Sequence, residues 1–148
     1  MDAKTKQTRG FESSHESIHN SASGRILIVD DDAMVAAVLS AQLVSAGYQV
    51  EVETNPERAV KHLLDDGADI AIVYCDLMMP GMTGMDVEAA VRRRCPKSAD
   101  KLVFMTGGAF SPNAERFISD HPNVSVGKPF NIVRDAANRL AGHLVSKV

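Results

Sequence analysis

Cysteine is scarce. The 148-residue chain carries two, Cys75 and Cys95, in neither a CxxC pair nor a disulfide framework. That pattern excludes a disulfide-stapled scaffold and predicts a reduced, cytoplasmic setting. Cys75 closes an apolar run and reads as a small core hydrophobe. Long apolar runs are missing too: none approaches the roughly 18 residues a membrane span needs. The opening MDAKTKQTRG has charges with no apolar stretch behind them, so it does not read as a secretory signal. Nor is there a surplus of positive charge. The net charge is −3 and the pI about 5.9, which leaves no basic field to hold nucleic acid over a broad face. The one basic cluster, Arg92-Arg93-Arg94, fits the end of a helix, where cations meet the negative end of the dipole.

What is present is an apolar content of 45%, enough for one domain with its own core. Residues 1–24 stand apart from it. Ser, His, Thr, Lys, Gln and Gly dominate there, and only Phe11 and Ile18 are large and apolar. Such a segment cannot offset its ordering entropy by burial, so it is predicted as a disordered tail before a single domain over 25–148.

From Arg25 onward, short apolar runs alternate with longer amphipathic ones. RILIVD reads as a buried strand. Ala33 to Ala46 follows with Met34, Val35, Val38, Leu39 and Leu43 at helical spacing, closed by Gly47. YQVEVET alternates as a strand. Asn55 and Pro56 supply an N-cap and a first helical position for a helix to Asp66, ended by Gly67. IAIVYC is a further buried strand, Met85 to Cys95 a helix stopped by Pro96, and KLVFMT a strand. Ser111-Pro112 repeats the start signal for a short helix. NVSVG is a brief strand, and Asn131 to about Ser146 a final helix with Ile132, Val133, Ala136, Leu140 and Leu144 on one face. Three of the five strands are apolar almost throughout, as strands buried on both faces are. The expected fold is α/β: a doubly wound, five-stranded parallel sheet.

In such sheets ligands bind beyond the carboxyl ends of the strands. The residues there carry chemistry. The first strand ends in Asp30, Asp31 and Asp32, the third in Asp76, the fourth in Thr106 before two glycines, and the fifth in Gly127-Lys128-Pro129. Clustered carboxylates need a cation. With hard oxygens alone, and no histidine or thiolate, that cation is Mg²⁺ or similar rather than zinc. Lys128 suits a phosphoryl oxygen as a point charge, and Thr106 can donate to another. No Ser or Cys nucleophile stands at these ends, and a carboxylate can itself accept a phosphoryl group.

The stretches ILIVDDD, YCDLMMPGMTGMD, VFMTGG and VGKPF stand in order, one at each expected strand. Over about residues 25 to 146 the chain resembles the receiver domain of bacterial two-component response regulators, a flavodoxin-like (βα)5 fold. The resemblance implies that Asp76 is the phosphoacceptor. It implies Asp31 as a direct Mg²⁺ ligand, Asp30 as its partner acting largely through water, and the carbonyl of Met78 as a third protein ligand. Asp32 falls at a variable position. Thr106 corresponds to a switch hydroxyl, and Lys128 to the lysine that bridges to the phosphoryl group, with a cis Lys128-Pro129 bond. Pro80 and Gly84 match the loop beside the acceptor. The family usually carries Tyr or Phe three residues before the lysine; here that position is Ser125. The TGGAF stretch is similar to receivers attached to hybrid histidine kinases.

The resulting expectation is a stand-alone signalling switch rather than an enzyme with turnover. It accepts a phosphoryl group from a histidine kinase or phosphotransfer protein, without nucleic acid or membrane, and acts on a downstream protein. A weak homodimer is left open. The surface implied for output is the one around the fourth helix, fifth strand and fifth helix. Alternatives are a receiver module of a hybrid kinase or phosphorelay, and a Mg²⁺-dependent phosphohydrolase using an Asp after the first strand, where DDDAM contains an Asp-x-Asp; the latter leaves Asp76 and PGMTG unexplained. A flavin binder needs a phosphate loop where three acids stand. HESIH at residues 15–19 matches a zinc-protease motif literally but lies in the polar tail without a third ligand. His62, His121 and His143 read as surface histidines, and the methionines as gap-filling core and loop residues.

Overall fold

Short buried runs and longer amphipathic ones resolve into a single sheet with helices on both faces. The computed structural model describes residues 24–107, 111–121 and 125–147, with side chains described as far as residue 142. The tail expected over 1–24 lies outside these residues apart from Gly24. HESIH, Gly108, Phe110 and the His143 side chain lie outside them as well. In chain order the elements are β1 (Arg25–Val29), α1 (Ala33–Ser45), β2 (Gln49–Glu53), α2 (Pro56–Asp66), β3 (Ile70–Asp76), α3 (Gly84–Arg94), β4 (Leu102–Thr106), α4 (Pro112–Asp120), β5 (Ser125–Gly127) and α5 (Ile132–Lys147). All strand pairs are parallel, in the order β2-β1-β3-β4-β5. This is the predicted doubly wound, flavodoxin-like topology.

The three apolar strands are the three central ones, and alternation divides their side chains between two cores. Leu27, Val29, Val73, Cys75, Leu102 and Phe104 pack on one face with Ala59, Leu63, Val87, Val91 and Ala114 of α2, α3 and α4. Ile26, Ile28, Ile72, Tyr74, Val103 and Met105 pack on the other with Ala36 and Leu43 of α1 and Ile132 and Ala136 of α5. Burial pushes the Cys75 thiol well above its ordinary range, which suits a core hydrophobe.

Helix starts follow local chemistry. The side chain of Asn55 accepts the N–H groups of Glu57 and Arg58, and that of Ser111 accepts the N–H of Ala114, each with Pro at the next position. α3 opens on a reciprocal pair that the sequence reading missed: Thr83 caps Asp86 N–H while the Asp86 carboxylate accepts Thr83 N–H. Arg92, Arg93 and Arg94 form its last turn, as expected. Pro96 ends α3 and also opens a single further turn, Pro96–Ala99, because Pro is compatible with a first helical position.

Two expectations are corrected. Met34 and Val38, grouped at helical spacing with Val35, Leu39 and Leu43, lie outward at 79% and 57% exposure, while Ala36 and Leu43 are buried. The sequence AMVAAVLSAQLVS has no charged residue, so apolar spacing alone could not choose the face. His62 is not a bare surface histidine. Its Nε2 lies 2.6 Å from Glu51 on β2, whose other oxygen accepts a 2.6 Å bond from Arg25 of β1. His121 caps the end of α4, stacked on Phe117 at 4.3 Å.

Candidate functional site

Register brings the strand ends together. Val29 of β1 is paired with Cys75 of β3, so the residues that follow, Asp30 and Asp76, emerge side by side. Asp30 N–H donates to the Glu53 carbonyl, which extends the β1–β2 ladder by one residue. Leu77 N–H donates to Met105 and Gly84 N–H to the Leu77 carbonyl at 2.8 Å, closing the loop after Asp76. Within that loop Gly81 has φ +81°, a left-handed conformation that strains any residue with a Cβ.

The three consecutive acids part company. Asp30 is 1% exposed; its Oδ1 accepts the N–H of Asp32 and its Oδ2 has no hydrogen-bond partner. Asp31 is exposed. Asp32 turns away and caps α1, accepting the N–H groups of Met34 and Val35. Its position immediately before the helical run was the available signal. Asp32→Ala is expected to lower the unfolding free energy by about 1 kcal/mol, the ordinary worth of an N-cap. Urea denaturation checks this, and metal affinity should be unchanged because Asp32 does not face the cluster.

Asp30, Asp31 and Asp76 each offer a carboxylate oxygen, all within 4.8 Å of one another. At that separation two like charges repel by about 3–4 kcal/mol at an effective dielectric near 20. Lys128 answers part of this: its Nζ lies 3.6 Å from Asp30 Oδ2 and 3.6 Å from Asp76 Oδ1. One ammonium against three carboxylates leaves two negative charges uncompensated. A single divalent cation matches that deficit, and the donors are hard oxygens only. Asp30 Oδ2, buried and without a hydrogen bond, fits the same requirement. The Asp76 carboxyl is held above the usual carboxylate range, first by burial, with Asp30 and Asp31 adding to the rise. Lys128 and the N–H of Met78, which donates to this carboxylate, oppose it.

Lys128 directly follows β5, on the far side of β4 from the acids, so its stem crosses the end of β4. Lys128 N–H anchors to the Thr106 carbonyl at 2.6 Å. Gly107 makes room: a Cβ there would stand 3.3 Å from Lys128 Cδ. The glycine after Thr106 therefore admits a side chain of this same chain. The Thr106 hydroxyl donates to the Val126 carbonyl at 3.3 Å, toward β5. The Lys128-Pro129 bond is cis, as expected. Ser125 donates to the His121 carbonyl.

Among the described residues no helix is long and apolar enough to cross a membrane. Curated relatives include an uncharacterized transcriptional regulatory protein of Bacillus subtilis, YkoG, 29% identical over 109 residues, covering 74% of this chain and 46% of the relative. The DNA-binding response regulator MtrA of Mycobacterium leprae is 41% identical over 71 residues, covering 46% of this chain and 29% of the relative. The chain thus spans less than half the length of these two proteins. Among solved structures, a response regulator receiver domain protein of Clostridium thermocellum has a TM-score of 0.67 at 18% identity, covering 84% of this chain and 96% of that one. The chemotaxis protein CheY4 of Vibrio cholerae has a TM-score of 0.59 at 24% identity, covering 86% and 100%. These likenesses bear on the fold. A model of the response regulator receiver domain matches residues 26–136, the span that holds the sheet, the three converging carboxylates and Lys128, and the chain belongs to that family.

Proposed function

We propose that this domain is a phosphorylation switch in which Asp76 accepts a phosphoryl group from a phosphohistidine, with Mg²⁺ at the Asp30, Asp31 and Asp76 cluster. The observation that carries the reading is the convergence of those three carboxylates on one lysine amine. Asp31 and Asp76 would ligate Mg²⁺ directly, together with the Met78 carbonyl, and Asp30 would hold its waters. When bound, the ion supplies positive charge to the phosphoryl oxygens.

The remaining steps belong to the chain. An Asp76 carboxylate oxygen attacks phosphorus in line, the P–N bond breaks, and the imidazole departs with the bonding electrons. Lys128 pairs with a phosphoryl oxygen as charge is redistributed. Once Asp76 carries the phosphoryl group, the Thr106 hydroxyl exchanges the Val126 carbonyl for a phosphoryl oxygen. The loop after β4 moves with it, and the surface of α4, β5 and α5 changes for a downstream protein. The domain thereby processes its own phosphoryl group and turns over no other substrate.

The donor is a histidine kinase or phosphotransfer protein, met in the cytoplasm. The uncharged α1, with Met34 and Val38 exposed and starting directly after the acids, supports a protein donor rather than a small metabolite. The test is incubation with a phosphorylated kinase or acetyl phosphate and Mg²⁺. Wild-type protein is expected to take up label that hydroxylamine removes, and Asp76→Asn to take up none. Stable label on Asp76→Asn would refute the assignment.

A further inference from the structure

Tyr74 is a buried titratable group that the switch chemistry leaves unused. It lies two residues before Asp76 on β3 and is fully buried. Its hydroxyl donates to Asp135 Oδ2 of α5 at 2.7 Å, and the same oxygen accepts Arg139 Nε at 2.7 Å. Its ring faces that of Phe130, with centroids 6.0 Å apart and planes at 38°, inside the range of favourable aromatic pairs.

Phe130 belongs to the segment that carries Lys128. That segment is held at one end by the bond from Lys128 N–H to the Thr106 carbonyl. At the other end the Asn131 side chain accepts Arg134 N–H, and the Asn131 carbonyl accepts Asp135 N–H, starting α5. Between these two anchors stand Pro129 and Phe130, and Phe130 has Tyr74 behind it. The Lys128 amine, 3.6 Å from both Asp30 and Asp76, sits at the end of a long stem whose base is this segment.

We infer that Tyr74 is a positioning residue for Lys128: its ring backs Phe130, its hydroxyl fixes Asp135 at the start of α5, and together they set where the amine stands over the carboxylates. The alternative is that Tyr74 fills core volume and merely satisfies its hydroxyl, as buried tyrosines do. The two differ in whether Tyr74 acts through Lys128.

The inference rests on the phosphoacceptor reading for one arm of its test only. In that arm, uptake of label from acetyl phosphate with Mg²⁺ is timed in wild type, Tyr74→Phe, Tyr74→Leu, Lys128→Ala and the Tyr74→Leu/Lys128→Ala double variant. Tyr74→Leu is expected to slow uptake at least about fivefold, since small misplacement of a reacting group is costly. Tyr74→Phe, which keeps the ring, should stay within about threefold of wild type, and Tyr74→Leu should add no further loss in the Lys128→Ala background beyond about twofold. Equal losses in both backgrounds would overturn the inference, as would an unchanged rate in Tyr74→Leu.

The second arm needs no phosphoryl donor. Lysines are reductively methylated with ¹³C, and the Lys128 signal is identified by its loss in Lys128→Arg. It should shift in Tyr74→Leu and return in Tyr74→Phe; an unmoved signal in a folded Tyr74→Leu protein would overturn the inference. A wild-type protein that takes up no label counts against the phosphoacceptor reading, and the lysine spectrum then decides the role of Tyr74.

Discussion

Asp31→Ala should abolish the Mg²⁺ titration over concentrations that saturate the wild-type protein, an apparent affinity loss of at least about 100-fold. Removing one carboxylate leaves Asp30 and Asp76 against Lys128, and so one uncompensated negative charge where there were two. The lost attraction to a divalent ion is several kcal/mol even at an effective dielectric near 20, whereas 100-fold requires only about 2.8 kcal/mol. The chain has no tryptophan, so calorimetry or amide NMR shifts are the suitable readouts. Without metal the sign reverses. Asp31 is exposed and fills no core volume, and its removal relieves repulsion. The metal-free variant should therefore resist urea at least as well as the metal-free wild type. An unchanged Mg²⁺ titration would remove Asp31 from the metal site; a strongly destabilised metal-free variant would show that it is structural.

Gly84→Ala should lower the unfolding free energy by about 2–3 kcal/mol, the upper range for overpacking. Helix propensity argues the other way. Gly84 is the first residue of α3, and alanine ordinarily favours a helix by up to about 1 kcal/mol over glycine. Close approach decides the sign. A Cβ at Gly84 would stand 2.7 Å from the Asp76 carbonyl oxygen and 2.9 Å from Leu77 Cα, with Phe104 Cδ1 at 3.3 Å. Two of these are backbone atoms of the segment that carries Asp76, so no rotamer change can yield. α3 would have to move off the sheet, or the loop after Asp76 would have to open. Gly142 in α5, where a Cβ meets nothing within 4 Å, is the internal control and should tolerate alanine. Chemical denaturation of the two variants side by side checks the prediction, and a Gly84→Ala protein as stable as wild type would sink it.

Much of the molecule was legible in residue order. β1, β3 and β4 announced themselves as the central strands because both their faces are buried and their runs are apolar throughout. Asn55-Pro56 and Ser111-Pro112 marked helix starts because capping is local chemistry, complete within four residues. Asp30, Asp31, Asp76, Thr106 and Lys128 could be nominated because parallel strands deliver their carboxyl ends to one edge. The Thr83–Asp86 capping box is equally local, since both of its hydrogen bonds close within four residues.

Other features depended on contacts across the sheet. The three consecutive acids after β1 are chemically identical in sequence, yet Asp30 is buried beside Lys128, Asp31 is exposed with an oxygen in the cluster and Asp32 caps α1. Backbone direction at the end of β1 makes that division. α1 is uncharged and carries apolar residues all round, so the face it buries was set by the packing of Ala36 and Leu43 against the sheet rather than by spacing. Gly107, one of two adjacent glycines in the sequence, is the passage for the Lys128 stem, which arrives from the end of another strand. The link from Tyr74 to Asp135 joins residues 61 positions apart, beyond the reach of any periodicity. Patterns of burial and capping are written locally because they answer to neighbours within a turn or a strand. Which carboxylate meets which amine depends on distances that exist only after distant segments have packed.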